Sequence, residues 1–177
     1  MALGIAVVGG NGSGKSTFGK ALADMLGYKY IDVEDYAFRD SAVPYTEPRP
    51  VSEMREMIFR DIQKHGDFVL SSVGGDMGEE INALYKTIVY IQAPLVVRME
   101  RVKQRAIDRF GNRVLAGGDM YVQEQDFLNF VAVRTLERTD SWVQKAGFPV
   151  IYVDGTALVT DTAQRLAKQL TAQKATE

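Results

Sequence analysis

The chain has 177 residues, a hydrophobic fraction of 46%, a charged fraction of 25% and a formal net charge of −2. These values are ordinary for one globular domain, and the balanced charge gives no broad electrostatic surface for nucleic acid or an anionic membrane. Cysteine is absent, which excludes disulfides, thiolate metal sites and a cysteine nucleophile. The apolar start, Ala2–Val8, lacks a basic lead-in, and no apolar run reaches membrane-spanning length, so we predict a cytoplasmic protein without a signal peptide.

The N-terminal part of the chain predicts a strand, a helix and a second strand, which form a βαβ unit. Leu3–Val8 is nearly continuously apolar and ends in glycines, which is typical of a strand buried on both faces of a parallel sheet. Apolar residues at helical spacing follow, and Gly27 ends that helix. Tyr28–Asp32 is predicted to be the second strand.

The same alternation continues to the end of the chain. Further helices are predicted over Ser52 to Lys64 with a serine N-cap, Pro94 to about Ile107, Asp126 to Lys145, and Thr160 to Thr171. Further strands are predicted over Phe68–Ser71, Thr87–Ile91 and Val150–Val153. This order indicates one α/β domain over residues 1–177, with a parallel sheet covered by helices on both faces.

Two segments interrupt the alternation. Residues 41–50 hold three of the chain's 5 prolines, and residues 108–121 are rich in arginine and glycine. The elements on either side belong to the same sheet, so neither segment resembles an interdomain linker. We predict two flaps over a ligand site, a cap at about 35–64 and a lid at about 106–121.

The most specific motif is the glycine-rich loop after the first strand. Residues 9–16 match G-x-x-x-x-G-K-S/T without a mismatch, and they lead into a helix. Glycines let successive backbone N–H groups turn towards phosphate oxygens, Lys15 adds charge near the β- and γ-phosphates, and Ser16 can ligate Mg²⁺. We therefore predict that ATP and Mg²⁺ are the cofactors. The predicted nucleotide contacts in this loop are Gly9, Asn11, Gly12, Ser13, Gly14, Lys15, Ser16 and Thr17.

Two other classes of nucleotide-binding protein lack their signatures here. The Asn-Lys-x-Asp motif with which a GTPase reads its base is absent. The third predicted strand leads into Ser72–Asp76 rather than the Asp-Glu pair of a motor ATPase. Val150–Asp154 resembles that motif, because an apolar run ends in an acid. It lies too near the C-terminus to supply the central catalytic acid, so a strand ending in a turn is the simpler interpretation.

The chain resembles the small P-loop kinases related to nucleoside monophosphate kinases and shikimate kinase, which form an adenylate-kinase-like group. The resemblance lies in the phosphate loop, in residues 93–105 and in the spacing between loops. The resemblance implies a three-layer fold with a five-stranded parallel sheet in the order 2-3-1-4-5. It also implies that Arg101 and Arg105 contact the nucleotide and the transferred phosphoryl group. Gly155 would lie in the loop beside the adenine.

The end of the second strand resembles the shikimate kinase position where one acid organises Mg²⁺-bound water and the next acid meets the substrate hydroxyl. Asp32 and Glu34 fall at these positions, with Glu34 replacing an aspartate and Asp35 as a rival. Gly74 and Gly75 resemble the substrate-contacting glycines of that kinase. Asp32 could also cap a turn, and either Glu34 or Asp35 could be the general base.

The arginines form the remaining candidate cluster. On a helix, Arg101, Arg105 and Arg109 share one face, where like charges repel unless an anion compensates them. We therefore predict that this cluster, together with Arg113, binds phosphate, although each single arginine could be an ordinary surface residue. The other candidate acceptor contacts are Asp35, Arg39, Arg55 and Arg134.

These features favour a kinase that moves the γ-phosphoryl group of ATP to a small, anionic acceptor, either a nucleoside, a nucleotide or a hydroxy acid. The partner is a small molecule, and neither nucleic acid nor a membrane is expected. Two alternatives stay open, an ATP-binding regulatory protein and an ATPase without an acceptor. Paired flaps favour the kinase, because an ATPase needs no acceptor cover. The sequence gives no indication of the oligomeric state.

Overall fold

The computed structural model describes residues 2–174, and its centre is a parallel sheet in the order β2-β3-β1-β4-β5. The strands are β1 (Gly4–Val8), β2 (Lys29–Asp32), β3 (Phe68–Ser72), β4 (Tyr85–Gln92) and β5 (Val150–Asp154). All four strand pairings are parallel. The predicted strand order is therefore confirmed.

Helices cover both faces of this sheet. They are α1 (Lys15–Leu26), α2 (Val33–Ala37), α3 (Val51–His65), α4 (Glu79–Asn82), α5 (Leu95–Phe110), α6 (Tyr121–Val133), α7 (Glu137–Lys145) and α8 (Val159–Lys174). A 3₁₀ turn, Gly111–Val114, follows α5. Within residues 2–174, none of the helices combines the length and the apolar character that crossing a bilayer requires.

Two buried clusters lie on opposite faces of the sheet. One packs Ile58 and Ile62 of α3 and Val143 of α7 against the sheet, and the other packs α1 and α8 against it. Because both faces are covered, β1 and β3 are buried along their whole length. This double burial explains why β1 and the first three residues of β3 are apolar without alternation.

The start of α3 differs from the prediction, which made a serine the N-cap. Pro50 occupies the N-cap with φ −53°, and no side chain caps the helix. Ser52 lies one residue inside the first turn instead. Proline suits the start of this helix, because its ring fixes φ close to the value of a helical residue.

The predicted long helix over Asp126 to Lys145 is wrong, because the segment is divided into α6 and α7. The break begins at Arg134, whose backbone is extended with ψ 117°, and α7 starts at Glu137. Neither glycine nor proline marks this break. A tertiary contact accompanies it, since Arg134 Nη1 lies 3.3 Å from Asn11 Oδ1 in the phosphate loop.

Candidate active site

The phosphate loop connects β1 to α1 and has the backbone of a phosphate cradle. Gly9, Gly12 and Gly14 have φ of 154°, 77° and 99°, which only glycine adopts without strain. The first backbone bond of α1 runs from the Phe18 N–H to the Gly14 carbonyl, 2.9 Å. The preceding N–H groups therefore have no intrahelical acceptor and can donate to an anion.

Lys15 begins α1 and lies among charged side chains. Burial lowers the pKa of its amine, and the nearby carboxylates of Glu34 and Asp32 partly oppose this. Arg105 and Arg134 are the two cations that act on the same amine. Two of the predicted acids and two of the predicted arginines are thus near enough to Lys15 for their charges to act on it.

Asp32 caps a helix, which is one of the two functions that the sequence left open for it; its Mg²⁺ role stays a prediction. Its Oδ1 accepts from the Glu34 N–H at 3.1 Å and caps α2, while its Oδ2 accepts from the Tyr30 hydroxyl at 3.1 Å. Asp32 also shares a groove with Ser16 and Asp35. Between residues 2 and 174, no three acidic or imidazole groups are placed to hold a metal. Ser16, Asp32 and phosphate oxygens fit Mg²⁺, which takes few protein ligands and retains water.

Arg101 joins the phosphate loop to the end of β5. Its Nη1 donates to the Gly155 carbonyl at 2.8 Å and approaches the Ser13 carbonyl at 3.4 Å. A Cβ on Gly155 would lie 2.4 Å from the Ser13 carbonyl oxygen, so this approach requires glycine. Arg101 and Gly155 are therefore together beside the loop, and the nucleotide contacts that the resemblance implies for them stay predictions.

Arg98 supports the same loop and was missed by the sequence analysis. It is buried on α5, and its Nη1 lies 3.5 Å from the Asn11 carbonyl oxygen. A Cβ on Gly10 or Gly12 would lie 2.5 Å or less from atoms of Arg98. The only signal in the sequence is an arginine in the otherwise apolar first turn of α5, which is too weak to assign a role.

Arg109 packs on aromatic rings of the cap and of α5, and its predicted phosphate contact stays a prediction. Its guanidinium carbon lies 5.4 Å from the ring centroids of both Tyr45 and Phe110, and Nη1 donates to the Tyr45 hydroxyl. Tyr45 is the one non-glycine residue with positive φ in the described chain, at 66°. The cap therefore lies against the lid through a strained aromatic residue.

Further contacts join the cap to the lid. Gln123 Nε2 donates to the Pro44 carbonyl at 2.9 Å. Arg113 forms an ion pair with Asp119 at 2.7 Å and approaches the Ala42 carbonyl at 3.4 Å. In this conformation Arg113 contacts both the lid and the cap.

A cavity of about 650 Å³ lies between β3 and α7, and we call it the charged cavity. Its charged lining residues are Arg55, Arg134, Arg138, Lys145, Asp76 and Glu137, and Gly74 and Trp142 also line it. The four basic groups outnumber the two acidic ones, so the cavity favours an anion. Asp76 accepts from the Asn82 amide at 2.8 Å and from the Gly78 N–H at 3.0 Å, which lowers its pKa.

Five predicted acceptor contacts lie outside the charged cavity: Glu34, Asp35, Arg39, Gly75 and Arg113. Gly75 is buried beside it, and a Cβ there would lie 2.2 Å from the Trp142 ring. Arg39 forms an exposed ion pair with Glu53 at 2.6 Å. Asp35 lies in the groove beside Ser16. The structure thus brings Gly74, Arg55 and Arg134 together, and gives the other five different surroundings.

A phosphate loop between β1 and α1, on a parallel sheet of order 2-3-1-4-5, defines a P-loop nucleotide-binding protein with the fold of the small kinases. Residues 5–113, which are more than half of the chain, match the AAA domain family. The chain belongs to that family.

Three known proteins show how far the similarity extends. The uncharacterized protein YqaC of Bacillus subtilis is 27% identical over 178 residues, covering 96% of this chain and 98% of that protein. A shikimate kinase of Gloeobacter violaceus is 28% identical over 180 residues, covering 93% and 92%. The structure of shikimate kinase from Acinetobacter baumannii in complex with shikimate has the same fold, with a TM-score of 0.57 and 20% identity over 98% of this chain and 96% of that one.

Gly12→Ala is expected to weaken binding of a non-hydrolysable ATP analogue by about 10–100-fold, or about 1.4–2.8 kcal/mol. The added Cβ would lie 2.3 Å from the Arg98 carbonyl oxygen, at a φ of +77°. Gly27→Ala is the matched control, since Gly27 has φ +69° with nothing within 4 Å of its Cβ position. Isothermal titration calorimetry of both variants measures their affinity for the analogue. The comparison separates a steric clash in the phosphate loop from the strain of a non-glycine residue at positive φ. Equal affinities in the two variants would contradict the assignment.

Proposed function

We propose that this protein is a kinase that transfers the γ-phosphoryl group of ATP to a small, anionic, hydroxyl-bearing acceptor. The observation that carries the proposal is the position of Arg134. This residue lines the charged cavity, and it also contacts Asn11 in the phosphate loop at 3.3 Å. An anion held in the cavity would therefore lie close to a nucleotide held by the loop.

The residues around Lys15 match the needs of phosphoryl transfer, which depends on positioning and on neutralising spread negative charge. Lys15 and Arg105 would neutralise the transferring group, and Arg101 would hold the nucleotide side of the loop. Mg²⁺ bound near Ser16 and Asp32 would supply further neutralisation of the phosphates. Glu34 is one of the two acids whose charge acts on Lys15, and it would accept the proton of the acceptor hydroxyl.

The relatives support this class of reaction. Full-length similarity links the chain to a protein named shikimate kinase, at 28% identity. The paired cap and lid support it too, because closure over both substrates excludes water and prevents wasteful hydrolysis. A regulatory protein or an ATPase would require neither a charged acceptor cavity nor two flaps.

The first test measures ADP formation from ATP and Mg²⁺ with and without a panel of nucleosides, nucleotides and hydroxy acids. Trp142 is the chain's one tryptophan and lines the charged cavity, so its fluorescence reports binding there. Acceptor-dependent ADP formation with a phosphorylated product supports the proposal. ADP formation that no acceptor stimulates would identify an ATPase, and ATP binding without turnover would identify a regulatory protein.

Arg134→Leu is expected to raise the acceptor KM about 10–100-fold, because a hydrogen bond to a charged group contributes about 1.5–3 kcal/mol. Arg60→Leu is the control, since Arg60 is exposed on α3 and pairs with Glu56 at 3.1 Å. Steady-state kinetics at saturating ATP measure both variants. An unchanged acceptor KM in Arg134→Leu would show that the acceptor lies elsewhere.

A further inference from the structure

Asn11, in the phosphate loop, has both of its oxygen atoms next to arginines from distant parts of the chain. Its carbonyl oxygen lies 3.5 Å from Arg98 Nη1, and its side-chain Oδ1 lies 3.3 Å from Arg134 Nη1. Asn11 is buried, with 7% of its surface exposed. A guanidinium donates hydrogen bonds and never accepts them, so the amide must turn its oxygen, and not its nitrogen, towards Arg134.

The backbone of Asn11 is held in place by the first of these arginines. Arg98 is buried on α5, and it lies so close to the loop that a Cβ on Gly10 would be 2.5 Å from its Nη1. On the other side of Asn11, a Cβ on Gly12 would be 2.3 Å from the Arg98 carbonyl oxygen. Because close contacts flank Asn11 on both sides, its side chain starts from a fixed position.

Arg134 benefits from a fixed partner because it is exposed. It is the first residue after α6, and it lines the charged cavity. Two contacts orient its guanidinium: one is Asn11 Oδ1, and the other is the ring of Phe130, whose centroid lies 5.1 Å from the guanidinium carbon. An arginine has many rotamers, so a ligand binds at a lower cost in free energy when this side chain is already ordered.

The phosphates of a nucleotide do not require the side-chain oxygen of Asn11. Phosphate oxygens accept hydrogen bonds, so they pair with the N–H groups of the loop and not with Oδ1. The backbone N–H of residue 11 is present whatever its side chain is. The only phosphate partner that the side chain itself offers is its NH₂ group, and a comparison of nucleotide and acceptor binding distinguishes that role.

We infer that Asn11 is a positioning residue for the acceptor, and that it acts through Arg134 although it lies in the phosphate loop. Its amide oxygen holds the Arg134 guanidinium at the wall of the charged cavity, where an anionic acceptor would meet it. The inference rests on the proposed function, in which Arg134 binds the acceptor. It adds the residue that sets the position of that arginine.

The first measurement combines the steady-state kinetics of Asn11→Ala with its affinity for a non-hydrolysable ATP analogue. The acceptor KM is expected to rise about 3–10-fold, the cost of ordering one long side chain. The affinity for the analogue is expected to change less than this, because the loop N–H groups are retained. Asn11 does not have a positive φ, so alanine fits its backbone. Asn129→Ala is the matched control, since Asn129 is exposed on α6.

The second measurement requires no identified acceptor. With the phosphate loop filled by the ATP analogue and Mg²⁺, inorganic phosphate is titrated at constant ionic strength, and the fluorescence of Trp142 in the charged cavity is recorded. Asn11→Ala is expected to weaken phosphate binding by about 3–10-fold. In an Arg134→Leu background, Asn11→Ala is expected to have no further effect, because the group that it positions is absent.

Thermal unfolding shows whether each variant is folded, and Asn11→Ser supplies a second variant whose polar side chain is too short for the Arg134 contact. It is expected to raise the acceptor KM by a similar factor. A loss of affinity for the ATP analogue that equals or exceeds the loss for the acceptor would overturn the inference, because Asn11 would then serve the nucleotide or the whole loop. Additive effects of Asn11→Ala and Arg134→Leu would overturn it as well.

Failure of the inference is distinguishable from failure of the proposed function. If Arg134→Leu raises the acceptor KM and weakens phosphate binding, while Asn11→Ala does neither, the kinase proposal stands and the inference fails. If Arg134→Leu changes neither quantity, the acceptor lies elsewhere and both fail.

Discussion

Lys15→Met is expected to lower kcat for phosphoryl transfer by about 10²–10³-fold, the loss typical of removing one group that stabilises transition-state charge. The Lys15 amine is half-buried beside Glu34 and Asp32. A low-dielectric position strengthens its attraction to the β- and γ-phosphates. Methionine retains most of the apolar stem, so the variant removes the charge with little change in packing.

Lys103→Met is the control for this substitution, because Lys103 is exposed on α5. Single-turnover rates and the affinity for a non-hydrolysable ATP analogue should be measured together. We expect the rate to fall more than the affinity, since the charge that Lys15 meets increases during transfer. A Lys15→Met enzyme with full transfer activity would refute the assignment of the phosphate loop as the catalytic centre.

Much of the fold could be predicted because its signals are local. The buried strands β1 and β3 are apolar runs, and the phosphate loop has a glycine spacing that few other structures require. The strand order followed from resemblance to the small kinases, and the observed sheet confirms it. Gly27, predicted to end α1, adopts the left-handed conformation that explains its position.

The features that the sequence did not predict depend on contacts between distant residues. Arg134 ends α6 without glycine or proline, and its side chain contacts Asn11, which is far away in the sequence. Arg98 is buried against the phosphate loop, although an arginine at that helix position is usually exposed. No local pattern encodes either contact, because each depends on how α5 and α6 pack above the sheet.

The cavity of about 270 Å³ between the cap and the lid could not be predicted from the sequence either. Phe38 and Tyr45 come from the cap, whereas Phe110 lies in the lid and Phe127 lies on α6. Along the sequence each could be ordinary flap packing, and only the folded chain brings them together around one cavity. Arg113 was predicted to face phosphate, yet in this conformation it pairs with Asp119. Its role in transfer stays a prediction that depends on how the lid rearranges.

Glu34→Gln is expected to lower kcat by about 10²–10⁴-fold, the usual contribution of a general base. Asp35→Asn is expected to leave kcat close to that of wild type. The two acids are adjacent in α2, but they face different spaces. Glu34 is half-buried and lines the cavity between the cap and the lid, near Lys15. Asp35 is exposed and lines the groove that also contains Ser16 and Asp32.

The pair of variants forms a matched comparison, because each replaces one carboxylate of α2 with its amide. Measurements at saturating ATP and acceptor isolate kcat, and titration with Mg²⁺ shows whether either variant weakens the metal dependence. A general base changes kcat at constant Mg²⁺ affinity, while a residue that holds Mg²⁺-bound water shifts the Mg²⁺ concentration for half-maximal rate. A large kcat loss in Asp35→Asn with an active Glu34→Gln enzyme would reverse the assignment and move the acceptor hydroxyl to the Ser16 groove.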